Sequence, residues 1–225
     1  MEQSEKIAEH MSMYETVIIM ANLAGKSGAA LAPVVSSICK EQNKNVLSFA
    51  IMPFKFEKNR IFQSGISLKR LKMNSDSTII IDNDAILDSN PDFTTQRCYD
   101  VTNNAIKCLA TSIKSSSLTD DTNIMSTSRS TENIEDSVKD SIKMLYEDAP
   151  PNSIKRSMLY VYGADKIPVG VINSISNILG GIFDEENSQV DMSTSGNTNV
   201  VLLSAIAGET RFDKYDPLGM ISKDK

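Results

Sequence analysis

The sequence predicts an α/β protein: a parallel sheet covered on both faces, then a long helix, then a smaller α+β unit. Three observations carry this. From residue 16 to residue 113, short continuous apolar runs alternate with segments of helical period, the pattern of parallel strands buried on both sides. The first run, Val17-Ile18-Ile19-Met20-Ala21, passes through Ala24-Gly25-Lys26-Ser27-Gly28-Ala29-Ala30 directly into a helix. After Pro150-Pro151 the order changes to strand, helix, strand, strand.

Each element follows from its local pattern. Residues 1–14 read as a short helix with Ile7, Met11 and Tyr14 on one face. A strand at Thr16–Asn22, a helix at Gly28–Gln42 and a strand at Val46–Met52 come next. A helix around Ile61–Lys72 and a third strand at Ser77–Ile81 complete the first set. Asp82-Asn83-Asp84 and Asn90-Pro91 carry turn residues and mark a loop. A long helix then runs from Thr95 to Ser115, and its Val101, Ala105, Ile106, Leu109 and Ile113 form a stripe to be buried. Residues 115–131 are rich in Ser, Thr and Asp and read as a hinge. A helix at Glu132–Tyr146 stops before the two prolines. Strand Ser157–Tyr162, helix Val169–Phe183, strand Val190–Ser193 and strand Val200–Ala207 form a compact unit, with Ser195-Gly196-Asn197 as a hairpin turn between the last two. The division expected is 1–114, a hinge at 115–131, and 132–225.

Composition narrows the function. Trp is absent and aromatics make up 6 % of the chain, so the core is aliphatic. A net charge of −6 argues against nucleic acid or an anionic membrane as partner, since both need a basic face. The longest apolar runs fall far short of the ~20 residues that span a bilayer, which argues against direct membrane insertion. Cys39, Cys98 and Cys108 lack metal-ligand spacing, and an odd count fits a reducing, cytoplasmic setting. His10 is the only histidine, so no Cys/His or Ser/His/Asp constellation can be assembled.

The chemistry concentrates at residues 24–30. A strand, a small-residue turn and a helix N-terminus aim free backbone N–H groups at one spot, with the positive end of the helix dipole behind them, which attracts a phosphate. Gly25-Lys26-Ser27 looks like the tail of a Walker A loop, but the Gly required five residues earlier is Met20, inside the strand, so a P-loop enzyme is rejected.

The neighbours point elsewhere. Ala32-Pro33 follows the loop, and the next strand ends in Pro53-Phe54-Lys55-Phe56-Glu57. This order resembles the tubulin/FtsZ superfamily, specifically FtsZ, whose GGGTGTG signature precedes Ala-Pro and whose later strand ends in Lys-Pro-Phe-x-Phe-Glu-Gly. Here the signature reads AGKSGAA, with Ser27 in place of a Thr. Ile79-Ile80-Ile81-Asp82-Asn83-Asp84 with Leu87, then Asn90-Pro91-Asp92, resembles the family's Pro-Asn-Asp-x-Leu-Leu and Ala-Pro-Asp. Met158-Leu159-Tyr160-Val161-Tyr162-Gly163 and Ala205-Ile206-Ala207-Gly208 resemble its C-terminal strands.

The resemblance implies a partial Rossmann-like parallel sheet of the tubulin/FtsZ nucleotide domain, with the long helix connecting it to the second domain. It implies that GTP or GDP is held, weakly if at all, by Gly25, Lys26, Ser27, Gly28 and Ala29, with Mg present only when GTP is bound. Tyr99 takes the position that stacks on guanine and Asn103, one turn later, the position that bonds the base. Glu57 and Arg60 resemble the element facing ribose and phosphate, and Asp120 and Asp121 are the candidate acids for orienting water.

Two departures shape the expectation. The family's first strands have no counterpart here, so the parallel sheet would have three strands and one uncovered edge. The chain is then a fragment, or a shortened homologue completed by another subunit. The family's acidic loop is also shortened, to Ser115-Ser116-Ser117-Leu118-Thr119-Asp120-Asp121. The expected function is a cytoplasmic, division-site FtsZ-like filament protein with slow or absent GTP hydrolysis. It would self-associate head to tail or pair with another FtsZ-like subunit. The alternative is a non-catalytic scaffold that caps or modulates a true FtsZ GTPase. An unrelated small α/β enzyme has only the generic strand–loop–helix in its support.

Overall fold

The computed structural model describes residues 2–113, 122–128, 133–194 and 197–216. In chain order the elements are α1 (Glu2–Met11), β1 (Thr16–Asn22), α2 (Lys26–Glu41), β2 (Asn45–Met52), α3 (Lys58–Asn74), β3 (Ser77–Asp82), α4 (Asn83–Ser89) and α5 (Thr95–Ser112). There follow β4 (Thr122–Thr127), α6 (Ile134–Asp148), β5 (Ile154–Tyr162), α7 (Val169–Phe183), β6 (Ser188–Ser193) and β7 (Asn199–Ile206), with a 3-10 turn at Arg211–Tyr215.

All the described strands form one sheet of seven, in the order β1-β2-β3-β4-β7-β5-β6. Neighbours pair in parallel except at β7, which runs antiparallel to both β4 and β5. The three-strand expectation is therefore corrected. The strands expected in a unit of their own extend the same sheet, because β7 pairs with β4 on one side and β5 on the other.

Helices α2, α3, α6 and α7 pack on one face, where Val46, Ala50, Ile80, Ile124, Leu159 and Leu202 meet Leu71, Val138, Leu145 and Leu179. Helix α5 covers the other face. Its Ala105, Ile106 and Leu109 lie on Phe49, Ile79, Ile81, Met125, Tyr160 and Leu203, so it spans strands from both halves of the chain. Each large apolar side chain buried this way contributes about 1.5–3 kcal/mol.

Three expectations fail here. Residues 122–127, read as part of a hinge, form the buried strand β4. Its polar groups are satisfied inside the sheet: Asn123 Nδ2 donates to Ser77 Oγ at 2.9 Å and Thr127 Oγ1 to the Val200 carbonyl at 2.7 Å. Asp82-Asn83-Asp84, read as a loop, starts helix α4, and Asp82 caps it by accepting the Asp84 and Ala85 amides, each at 3.0 Å. The hairpin expected between β6 and β7 does not form, because β5 lies between them.

Candidate functional site

The site is built at the carboxyl ends of β1, β2 and β3, where open parallel sheets hold their ligands. Past β1, the Leu23 amide donates to the Ile51 carbonyl at 2.9 Å, Ala24 to the Asn22 side chain at 2.9 Å, and Gly25 to the Asn22 carbonyl at 3.1 Å. Gly25 then caps α2 with φ −83° and ψ 138°, and it has no side chain to occupy the first turn. The amides of Lys26, Ser27 and Gly28 keep the free donors that every helix start carries.

No residue of this loop has positive φ; among the described glycines only Gly163 and Gly208 do. The alanines of AGKSGAA therefore fit the backbone that the loop adopts. Gly28 is needed for another reason: a Cβ there would lie 2.2 Å from the Asn22 carbonyl oxygen. The glycine lets α2 press against the end of β1. Gly25 is under no such constraint, its nearest contact being 3.4 Å.

Beside the loop is a cleft of about 440 Å³ lined by Gly25, Lys26, Ala29, Asn59, Arg60 and Gln63, among others. Arg60 reaches in from α3, donating to the Ala24 carbonyl at 3.0 Å and pairing with Glu57 at 3.1 Å. The other Glu57 oxygen accepts the Phe54 amide at 3.1 Å, so one carboxylate fixes both the turn after β2 and the arginine. Tyr99 at the start of α5 packs edge-on to Phe54, with ring centres 5.5 Å apart. Its pKa is raised by burial first and by the charge of Glu57 second, with Arg60 opposing.

The structure thus gathers Gly25, Lys26, Ser27, Gly28, Ala29, Glu57, Arg60 and Tyr99 at one end of the sheet. Asn103 lies exposed one turn beyond Tyr99. Asp120 and Asp121 fall outside the described residues. Lys26 and Ser27 are exposed, so the loop presents donors and a cation to solvent.

A charged cluster beneath β3 was not anticipated. Arg211 Nη2 pairs with Asp82, and its Nε lies 2.9 Å from Asp148 Oδ1; both carboxylates are buried. Asp148 has its pKa pushed well up by burial and then by the charge of Asp82, with Arg211 opposing. Alongside, Asp84 accepts the Lys55 amide at 2.6 Å, and Lys55 pairs with Asp88. No motif could have revealed this cluster, because its members come from β3, α4, α6 and the 3-10 turn. The nearest sequence signal was the turn-like Asp82-Asn83-Asp84.

Burial, then the charge of Asp82, raises Asp84 from 3.8 to about 6. A folded-state value above the unfolded one means that the protonated form is the better-tolerated one in the fold. Its stabilisation is fully present below pH 4 and is lost as pH rises through 6. Asp84→Asn is expected to remove that loss, flattening the stability profile over this window by on the order of 2 kcal/mol. Urea titrations of both proteins at pH 4 and pH 7 check it, and parallel profiles would refute it.

Comparison with known proteins places this arrangement. Residues 1–91 match the profile of the Tubulin/FtsZ family, GTPase domain. The Cell division protein FtsZ 2 of Halobacterium salinarum is 33 % identical over 95 residues, which are 42 % of this chain and 24 % of that protein. The Cell division protein FtsZ of Aquifex aeolicus is 36 % identical over 87 residues, 38 % of this chain and 24 % of that one. The matched stretch is thus about a quarter of the length of these relatives. Among solved structures, an FtsZ dimer from M. jannaschii superposes with a TM-score of 0.71 at 20 % identity, over 92 % of this chain and 67 % of that one. A CetZ2 from Haloferax volcanii, a GTPgS-bound protofilament, superposes with a TM-score of 0.64 at 15 % identity, over 97 % and 76 %. Residues 1–91 thus match the Tubulin/FtsZ family, GTPase domain, and the fold of the described residues resembles that of the FtsZ and CetZ structures.

Proposed function

We propose that this chain is an FtsZ/tubulin-like cytoskeletal protein whose cleft at the start of α2 takes the phosphates of a guanine nucleotide with low affinity. One observation carries the reading: Gly25 and Lys26 at the start of α2 and Arg60 from α3 line one open cleft of about 440 Å³. That donor set suits an oligophosphate, because amides at a helix start and two cations all favour negative charge. Bound GTP would supply a phosphoanhydride to be cleaved. The chain's own part is to hold the phosphates at Lys26–Gly28 and to present Tyr99 and Asn103 on one face of α5 toward a base. Low affinity follows from Arg60, which is already committed to Glu57 and the Ala24 carbonyl. Hydrolysis is slow or absent on this reading, and association is head to tail, giving open filaments.

Calorimetric titration with GTP and GDP should give measurable heat. Lys26→Ala, an exposed substitution, should weaken binding about tenfold. GTP-dependent light scattering would support filaments. Absence of heat and scattering would favour a non-catalytic scaffold that modulates a true GTPase, a reading that the commitment of Arg60 also suits. Among the described residues no helix is long and apolar enough to cross a membrane. A cytoplasmic location at the division site belongs to this same proposal.

A further inference from the structure

Helix α3 is held from two sides. Arg60, Ser64 and Ser67 form one stripe along it, and all three donate to carbonyls between Leu23 and Ala29. Arg60 reaches Ala24 at 3.0 Å, Ser64 reaches Leu23 at 2.8 Å and Ser67 reaches Ala29 at 2.8 Å. Gly65, Lys69 and Lys72 form a second stripe, and on it lies the turn that follows β7. Lys69 pairs with Asp216 at 3.4 Å and Lys72 with Asp213 at 3.3 Å. Helix and turn touch at residue 65. A Cβ there would stand 2.5 Å from the Tyr215 carbonyl carbon and 2.8 Å from the Asp216 nitrogen, both backbone atoms. The turn is fixed at its other end as well. Arg211 pairs with Asp82 at the end of β3 and with Asp148 at the end of α6. Phe212 is buried in the core, with Tyr215 edge-on to it at 5.6 Å, and Asp213 accepts the Thr210 amide at 2.7 Å. Residues 210–216 thus cross from an anchored core to the helix that carries Arg60.

We propose that residues 210–216 are a strap that sets the geometry of the cleft, with Gly65, Asp213 and Asp216 as positioning residues acting on the loop through α3. Seated against Gly65, the strap holds the helix where Arg60, Ser64 and Ser67 meet their carbonyls. An opening of about 400 Å³ runs along the seam, lined by Leu68, Met73 and Lys214 among others, so the strap can lift while the sheet stays intact. When it lifts, α3 loses one of its two attachments, and the three loop bonds weaken together because one helix carries them all. Gly65 does not line the cleft, so its influence there passes through the helix. Only the consequence for phosphate rests on reading the cleft as a nucleotide site.

Hydrogen exchange without nucleotide tests the strap. The amides of Leu23, Gly25 and Ala29 are all bonded in the unmodified chain. In Gly65→Ala they should exchange roughly tenfold faster, together with those of the strap, while the β5–β6 ladder changes less. Helix propensity alone predicts the opposite, since alanine favours a helix over glycine. Lys69→Ala combined with Lys72→Ala removes both ion pairs without a clash and should give the same pattern at roughly threefold. Lys69→Arg combined with Lys72→Arg keeps the charges and should leave exchange unchanged. Circular dichroism verifies the fold of each variant. Calorimetry then reads the cleft, where Gly65→Ala should weaken GTP about tenfold. If GTP gives no heat with the unmodified chain, the nucleotide reading falls and the exchange data alone decide on the strap. Unchanged loop exchange in Gly65→Ala, equal acceleration throughout the sheet, or a loop indifferent to the loss of both lysines would each overturn the proposal. So would undiminished GTP affinity in Gly65→Ala where the unmodified chain binds.

Discussion

Arg211→Met is expected to lower the unfolding free energy by about 3–5 kcal/mol at neutral pH. The guanidinium sits between two buried carboxylates, Asp82 and Asp148, and removing it leaves their charges facing each other out of water. Asp82 also caps α4, so the damage reaches the turn that carries Asp84. The pH dependence has a definite sign. Burial already holds the Asp148 carboxyl above its ordinary range and Arg211 opposes that shift, so without Arg211 the folded Asp148 binds its proton more tightly still, and the lost stability is partly recovered at pH 4 and is greatest at pH 7. Urea denaturation followed by circular dichroism at both values tests this. A loss below 1 kcal/mol, or the same loss at both pH values, would show that the cluster does not work as described. Asp148→Asn in the Arg211→Met background should recover part of the loss by removing one of the opposed charges.

Gly28→Ala is expected to cost about 3 kcal/mol, although alanine usually favours a helix. The added Cβ would meet the Asn22 carbonyl oxygen at 2.2 Å and its carbon at 3.0 Å, and both are backbone atoms that cannot swing aside. Either α2 lifts from β1 or the strand end bends, and both movements disturb the cleft. Gly25→Ala, in ordinary contact, should cost less than 1 kcal/mol. Thermal melts of the two variants side by side decide it. Equal losses would mean that the loop needs its glycines for conformation rather than for close packing.

The elements legible in the sequence were those whose side chains match their surroundings. Val46 to Met52 and Ile79 to Ile81 are apolar runs buried in the sheet, Val17 to Ala21 is an apolar run buried on one face only, and α5 shows its stripe plainly. Strand β4 was hidden because Thr122-Asn123-Ile124-Met125-Ser126-Thr127 carries polar residues where burial would normally exclude them. Their hydrogen bonds to Ser77 and Val200 make that burial tolerable, and such partners cannot be read from local sequence. Asp82 reads as a turn residue in the sequence because helix caps and turns favour the same side chains. The hairpin after β6 failed because a local turn signal says nothing about which strand the chain pairs with next. Of the candidate site, the loop and Glu57, Arg60 and Tyr99 were legible through order and spacing. The Asp82–Asp148–Arg211 cluster was not, since its members meet only in three dimensions.

The placement of β7 bears on how the molecule comes to exist. This strand is buried along its whole length and separates β4 from β5, yet it emerges from the ribosome after both. Until it arrives, a nascent chain exposes two unmatched strands and can hold only a partial fold. Closing a segment this long before the central ladder forms makes folding slow, and it keeps the unfinished chain open to chaperones.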